Sequence, residues 1–217
     1  MNGTVFLIIA ILLPIIGWLA WEAEKKRRKG FADWAALRGW HYDHRRNATL
    51  RHRFGFLDRM QVGHSRRASH HLSGDWQGYA ATAFCFKYTT GSGKNQQTHY
   101  LGVVLARLER SFPELRIYPE NILSRVGQMM GYKDIDFESV EFSNAFTVRS
   151  QDKKFAYDFC NTGMMDLMLA ARSTAMELEH DTLALFVNRY LKPEDLEPML
   201  HHLMAIRAEM PDYLFRT

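Results

Sequence analysis

From Val5 to Trp21 the chain reads VFLIIAILLPIIGWLAW, seventeen residues without a charge. At 1.5 Å rise per residue the run reaches roughly 26 Å, and Thr4 and Ala23 bring it close to the ~30 Å hydrocarbon core of a bilayer. A soluble core helix carries polar residues every three or four positions, and this run has none. The pattern predicts a membrane helix that tolerates Pro14 and Gly17 and holds Trp18 and Trp21 at headgroup level. A cleaved signal peptide would need positive charge ahead of the apolar run. Here the cluster Lys25-Lys26-Arg27-Arg28-Lys29 follows it. The positive-inside rule then places Met1 outside and residues 25–217 in the cytoplasm, with the protein in the cell (inner) membrane.

Beyond the run the periodicity changes. Residues 24–38 continue as a helix with Phe31, Trp34, Ala35 and Leu37 on a partial apolar face, ended by Gly39. Residues 40–65 give no clear period beyond a short strand around Phe56–Val62. Strands are predicted at Ala68–Leu72, running toward Gly74-Asp75, and at Tyr79–Tyr88 (YAATAFCFKY). The polar loop TTGSGKNQQ leads to a return strand at Thr98–Leu108, and two apolar runs around such a loop make a β-hairpin. A third strand is read at Leu115–Tyr118. Pro119 opens a helix whose apolar positions run Ile122, Leu123, Val126, Met129 and Met130, closed by Gly131. Glu141–Ala145 reads as a helical turn and Phe146–Arg149 as a strand. Helices follow at Asp152–Cys160, with Asp152 as N-cap, and at Met164–Ala171. Met176–Glu179 and Leu183–Asn188 read as a second hairpin around His180-Asp181. The last helix starts at Pro193 or Glu197, carries the stripe Leu196, Met199, Leu200, Leu203, Met204 and Ile206, and stops at Pro211. Strands cluster first and helices interleave later, so the expected class is α+β: an N-terminal transmembrane helix followed by a mainly antiparallel sheet packed with several helices. The expected organisation is an anchor over 1–24, a basic juxtamembrane helix over 25–38 and one cytoplasmic domain over 39–217.

Charge sharpens this picture. The net +4 hides a segment, residues 25–71, with thirteen Lys/Arg against Asp33, Asp43 and Asp58. A segment of that charge beginning at a bilayer suits anionic lipid, at ~1 kcal/mol per basic residue near the surface. The expected residues are Lys25, Lys26, Arg27, Arg28 and Lys29 for topology, and Arg38, Arg45, Arg46, Arg51, Arg53, Arg66 and Arg67 for the lipid-facing surface. Setting topology alone is the plainer reading of the same charges. Aromatics interleave with them, but no nucleic-acid recognition module is matched, so nucleic acid is not an expected partner. Cys85 and Cys160 fall in an apolar strand and an amphipathic helix, which suits buried reduced thiols.

The stretch ESVEFSNAFTVRSQDKKFAYDFCNTGMMDLML, Glu138–Leu169, resembles a motif of an uncharacterised family of bacterial, actinobacterial-type membrane-anchored domains. Phe142, Phe146, Val148, Asp152, Ala156 and Met165 stand at the motif positions, and the resemblance extends over residues 31–211. It implies a cytoplasmic α+β domain on an anchor and implies no activity. Where related members carry Pro-Arg before the Met pair, this chain has Thr162-Gly163, so no functional basic residue is expected there. Residue physics gives the motif a packing role: Phe142, Phe146 and Val148 at a helix-to-strand corner, Asp152 as a cap, Met165 and Met168 as gap fillers.

Candidate chemistry is sparse. His70-His71 and His201-His202 are adjacent, and neighbours on a strand or helix diverge, so neither pair chelates one ion alone. Asp134, Asp136 and Glu138 would share a face on a strand, but no EF-hand pattern surrounds them. There is no GxSxG elbow, and GSGK at Gly91–Lys94 lacks phosphate-loop spacing. No catalytic, cofactor or metal residue is therefore assigned, and no cofactor is expected. The leading expectation is a single-pass membrane-anchored interaction or scaffold domain, an accessory component at the membrane with a membrane-protein partner. The first alternative is a lipid or small-molecule binding module with its ligand among Met129, Met130, Met165 and Met168. The second is a hydrolase of unfamiliar type, which would need His70 or His71 beside Asp75 in a cleft.

Overall fold

Apolar residues at consecutive positions of Tyr79–Thr90 mean that both faces of this strand are buried. The computed structural model describes the backbone of residues 3–120 and 134–216, and the side chains of residue 10 and of residues from 12 onward within those ranges. In chain order the described elements are α1 (Gly3–Leu37), β1 (His41–Asp43), α2 (Ala48–Arg53), α3 (Asp58–Gln61), β2 (His64–Trp76), β3 (Tyr79–Thr90) and β4 (Gln97–Pro119). Then come α4 (Val140–Ala145), β5 (Phe146–Ser150), α5 (Lys153–Phe159), α6 (Thr162–Ala170), β6 (Thr174–Val187) and α7 (Pro193–Glu209). The fold is α+β, with one antiparallel six-stranded sheet.

The sheet is organised around β4, 23 residues long. One edge pairs with β3 over Gln97–Ala106 and then with β5 over Leu115–Pro119. Its other edge pairs with β6 over Gly102–Ile117. Register shifts between Arg107 and Leu115 coincide with the change from β3 to β5. Alternate side chains divide the core. Ala81, Ala83, Cys85, Val104 and Ala106 face a large cluster with α1, α5, α6 and α7, while Phe84, Phe86, Val103 and Leu105 face a smaller one with α2 and α3.

Local chemistry explains many boundaries. Gly39 (φ +66°) closes α1 in a conformation that favours glycine. Asn47 caps α2 by accepting from the Thr49 and Leu50 amides at 3.0 and 3.3 Å. Asp152 caps α5 through the Phe155 amide at 2.9 Å, and Asn161 caps α6 through the Met164 amide at 2.9 Å. Pro193 occupies the first turn of α7.

Several expectations are corrected. The strand expected around Phe56–Val62 is a turn followed by α3, because Asp58 and Arg59 present their backbone amides to a carboxylate from β6. β2 runs through Gly74-Asp75 to Trp76, and the chain turns at Gln77-Gly78, both with positive φ. Leu115–Tyr118 is the continuation of β4 across its bulge rather than a separate strand. The hairpin expected at His180-Asp181 is one strand, β6, carried past His180 by a positive φ of 53°. Asp134, Asp136 and Glu138 lie outside any strand, so they have no common strand face. The helix expected over 119–131 falls beyond Glu120 outside the described residues. Among the described residues no helix is long and apolar enough to cross a membrane; the span expected over 1–24 therefore rests on the sequence run.

Gly74 lies against Trp40, where an added Cβ would come 2.5 Å from the indole Cγ. Trp40 cannot retreat easily, since its Nε1–H donates to Asp75 O at 2.9 Å and its ring meets Trp34 edge-on at 5.1 Å. Gly74→Ala is expected to lower unfolding stability by about 1–3 kcal/mol in a urea titration. An unchanged midpoint would mean that the tryptophan cluster repacks without strain.

Candidate functional site

The apolar run and the folded core share one helix. On α1, Leu12, Leu13, Ile15, Ile16, Trp18, Leu19 and Trp21 are 47–63 % exposed. Three to four turns past Trp21, Phe31, Trp34 and Ala35 are buried against the sheet. Between them α1 crosses β2 and the start of α7, and here polar groups gather. Glu24 receives Arg27 at 2.8 Å and Arg28 at 2.9 Å, and it faces His70 Nε2 at 3.2 Å. His70 is 3 % exposed and adopts φ 53°, at a register shift of β2 between Ser69 and Leu72. That bulge turns its ring inward beneath α1. Tyr42 Oη lies 2.8 Å from His70 Nδ1.

Burial pushes the His70 imidazole below its ordinary range, and the Glu24 carboxylate opposes that shift. Burial also pushes the Tyr42 phenol upward, so it remains a donor. The consistent arrangement is a neutral His70 that accepts from Tyr42 at Nδ1 and donates to Glu24 from Nε2. This arrangement clamps α1 to the sheet without leaving a net buried charge.

Above the clamp is a groove of about 640 Å³ between α1 and the first turn of α7. Arg27 lies over the Tyr190 ring at 4.2 Å and forms one wall. Gly30 permits the close approach of the helices, because a Cβ there would meet Pro193 Cγ at 2.7 Å. Lys26, Lys29 and Lys192 line the rim with Asp33 and Glu194.

The basic residues named from sequence distribute over two faces. Lys26, Arg27 and Lys29 meet at the groove, Lys25 lies over Trp21 at 5.2 Å, and Arg28 is held by Glu24. Arg38 crosses to Glu197 on α7 at 2.6 Å and stacks over Trp34. Arg51 and Arg53 ride on α2, over the smaller core. Arg66 is tied back to Gln61 O at 2.9 Å, while Arg45, Arg46 and Arg67 are exposed. The motif residues are internal: Phe142, Phe146, Val148 and Ala156 are buried, Met165 packs partly against them, and Asp152 is a cap.

Other chemistry is structural in its partners. Asp75 accepts from the Gly78 amide at 3.0 Å in a turn, so it does not pair with His70 or His71. Met164 and Met168 are fully buried in the main core, and Met129 and Met130 lie outside the described residues. Cys85 and Cys160 are buried free thiols, and burial pushes the Cys85 thiol up to about 12. Among the described residues, no group of three or more His, Cys, Asp or Glu side chains could hold a metal ion.

Sequence reasoning missed Glu24, Tyr190 and Lys192. It also missed Glu177, which is 1 % exposed on β6, directly opposite Arg116 of β4. Its carboxylate accepts from the Asp58 and Arg59 amides at 2.8 and 3.0 Å and from Tyr118 Oη at 2.7 Å. Asp58 in turn pairs with Arg116. A glutamate inside the apolar stretch TAMEL was the available signal.

No family model matches the sequence, and no curated protein matches it. Among solved structures, the crystal structure of the mycobacterial trehalose monomycolate transport factor A, TtfA, is similar. It is 13 % identical with a TM-score of 0.61, over 86 % of this chain and 95 % of that one. At this identity the likeness concerns the fold. A mycobacterial protein thus shares the architecture of this chain, in keeping with the actinobacterial type of family that the Glu138–Leu169 motif resembles.

Proposed function

We propose that this chain is a non-enzymatic accessory component at a bacterial cell membrane, in a role allied to lipid transport. In this reading the run Val5–Trp21 is the span, Met1 lies outside and the α+β domain is cytoplasmic. Lys25–Lys29 set that topology, and the exposed arginines face anionic lipid. The observation that carries it is α1 itself. The described apolar residues of its first half are exposed on every side of the helix, which calls for an apolar solvent rather than a single packing partner. The same helix is built into the core at Phe31 and Trp34, so in this reading the span runs directly into the domain. The fold shared with a transport factor supports an accessory role, since TtfA is described by what it helps to move.

The test is fractionation of cells that express the full chain with a C-terminal tag. The chain is expected in the membrane pellet after alkaline carbonate and high salt, with the tag cleaved by protease only in inverted vesicles. Release by carbonate, or cleavage of the tag in intact spheroplasts, would overturn the span or its orientation. Gentle detergent purification is then expected to bring along a stoichiometric membrane protein.

A further inference from the structure

The groove between α1 and α7 lies where a phospholipid headgroup would be if α1 spans a bilayer. Its first lining residue, Ala23, follows Trp21 by two positions, and Lys29 is eight positions beyond Trp21. At 1.5 Å per residue Lys26, five positions beyond Trp21, lies roughly 8 Å past the end of the apolar run, at the outer edge of the polar interfacial layer.

The charge of the rim is unbalanced. Lys26 makes no ion pair among the described residues, and the Lys192 ammonium has Glu194 as a carboxylate neighbour at 3.9 Å. Lys29 is engaged by Asp33 at 2.6 Å and Arg27 by Glu24 at 2.8 Å. Asp195, on the same turn as Glu194, is neutralised within the fold by Arg189 and by the Lys192 amide at 2.8 Å. Lys26 of α1 and Lys192, at the N-cap of α7, therefore line a space of about 640 Å³ with Tyr190 and Pro193 as apolar walls. Ligand pockets commonly fall in this size range and combine apolar walls with a few polar groups.

We infer that this groove binds the phosphate of an anionic phospholipid headgroup, held between Lys26 and Lys192, with the acyl chains lying along the exposed residues from Leu12 to Trp21. This rests on the membrane reading above and adds a defined site to it. The phosphate is recognised as a doubly contacted anion, and the chains supply the remaining attraction through the apolar face of α1. Arg27, stacked on Tyr190, keeps the wall open by being held in place. Lys26 and Lys192 are both exposed, so changing them leaves the core intact.

The experiment uses the full chain in uncharged detergent, titrated with phosphatidylglycerol or phosphatidylcholine and read by native mass spectrometry. Wild type is expected to retain one phosphatidylglycerol in preference to phosphatidylcholine. The double variant Lys26→Glu, Lys192→Glu should lose about thirtyfold in that affinity. Lys153→Glu with Lys154→Glu, exposed on α5 and away from the groove, should keep it. Equal retention by wild type and the groove variant overturns the site while leaving the membrane reading intact. Displacement of the lipid by millimolar inorganic phosphate overturns the lipid source and makes the groove a site for free phosphate. Failure of the membrane reading shows separately, as release of the wild-type chain from native membranes by carbonate.

Discussion

Glu177→Ala is expected to cost about 3–5 kcal/mol of unfolding free energy, measured by urea titration. The Glu177 carboxylate takes the Asp58 and Arg59 amides and the Tyr118 hydroxyl, all in a buried site. Each buried donor left without an acceptor costs about 1–3 kcal/mol, and a water entering the vacated space recovers part of it. The substitution also releases α3, whose first amides are held by this carboxylate, and so exposes the smaller core under Leu57 and Met60. A loss below about 1 kcal/mol would show that Glu177 is tolerated in the core rather than organising it.

The same residue gives a pH dependence. Burial, reinforced by the Asp58 charge, pushes the Glu177 carboxyl from an ordinary 4.5 up to about 7, against the hydrogen bonds and Arg116. A carboxyl whose folded pKa is raised favours the folded state fully below its unfolded value. That contribution fades as pH rises and is gone once pH passes the folded value. Between about pH 4.5 and 7 it therefore declines, by roughly 3 kcal/mol in total. Buried His70 slopes oppositely, because its lowered pKa makes acid destabilising below its ordinary range. Comparing wild type with Glu177→Gln isolates the glutamate: the difference in stability between them should change with pH across this window. A pH-independent difference would mean that Glu177 titrates like an exposed carboxyl.

Phe31→Ala is the second large effect, expected at about 3–5 kcal/mol. Phe31 is fully buried, with its ring 5.8 Å from Tyr42 and 5.4 Å from His70. Leu37, six residues further on the same helix, is 82 % exposed, and Leu37→Ala should stay within about 0.5 kcal/mol. Chemical denaturation of the detergent-solubilised chain, followed by tryptophan fluorescence, separates the two. Equal effects would mean that the last turns of α1 are not part of the core. A large Phe31 effect would mean that the helix leaving the apolar run holds the domain in a fixed pose, as the groove and the His70 clamp require.

Local patterns in the sequence determined a definite part of this protein. The uncharged run and its trailing cations, the β3–β4 hairpin, the Asp152 cap, α4 through α6 and the apolar stripe of α7 are all legible, because each depends on residues within a few positions of one another. The tertiary structure decided the rest. β4 and β6 are long strands carried through bulges, and a bulge interrupts the two-residue period that identifies a strand. That is why Leu115–Tyr118 read as separate and His180-Asp181 read as a turn. The strand misread at Phe56–Val62 is held as a helical turn by Glu177, more than a hundred residues away. The groove joins Lys26 to Lys192 across still more of the chain. No window of sequence contains both lysines. Their meeting depends on where α1 and α7 pack on the sheet, and Gly30 against Pro193 permits that packing only once the whole fold is in place.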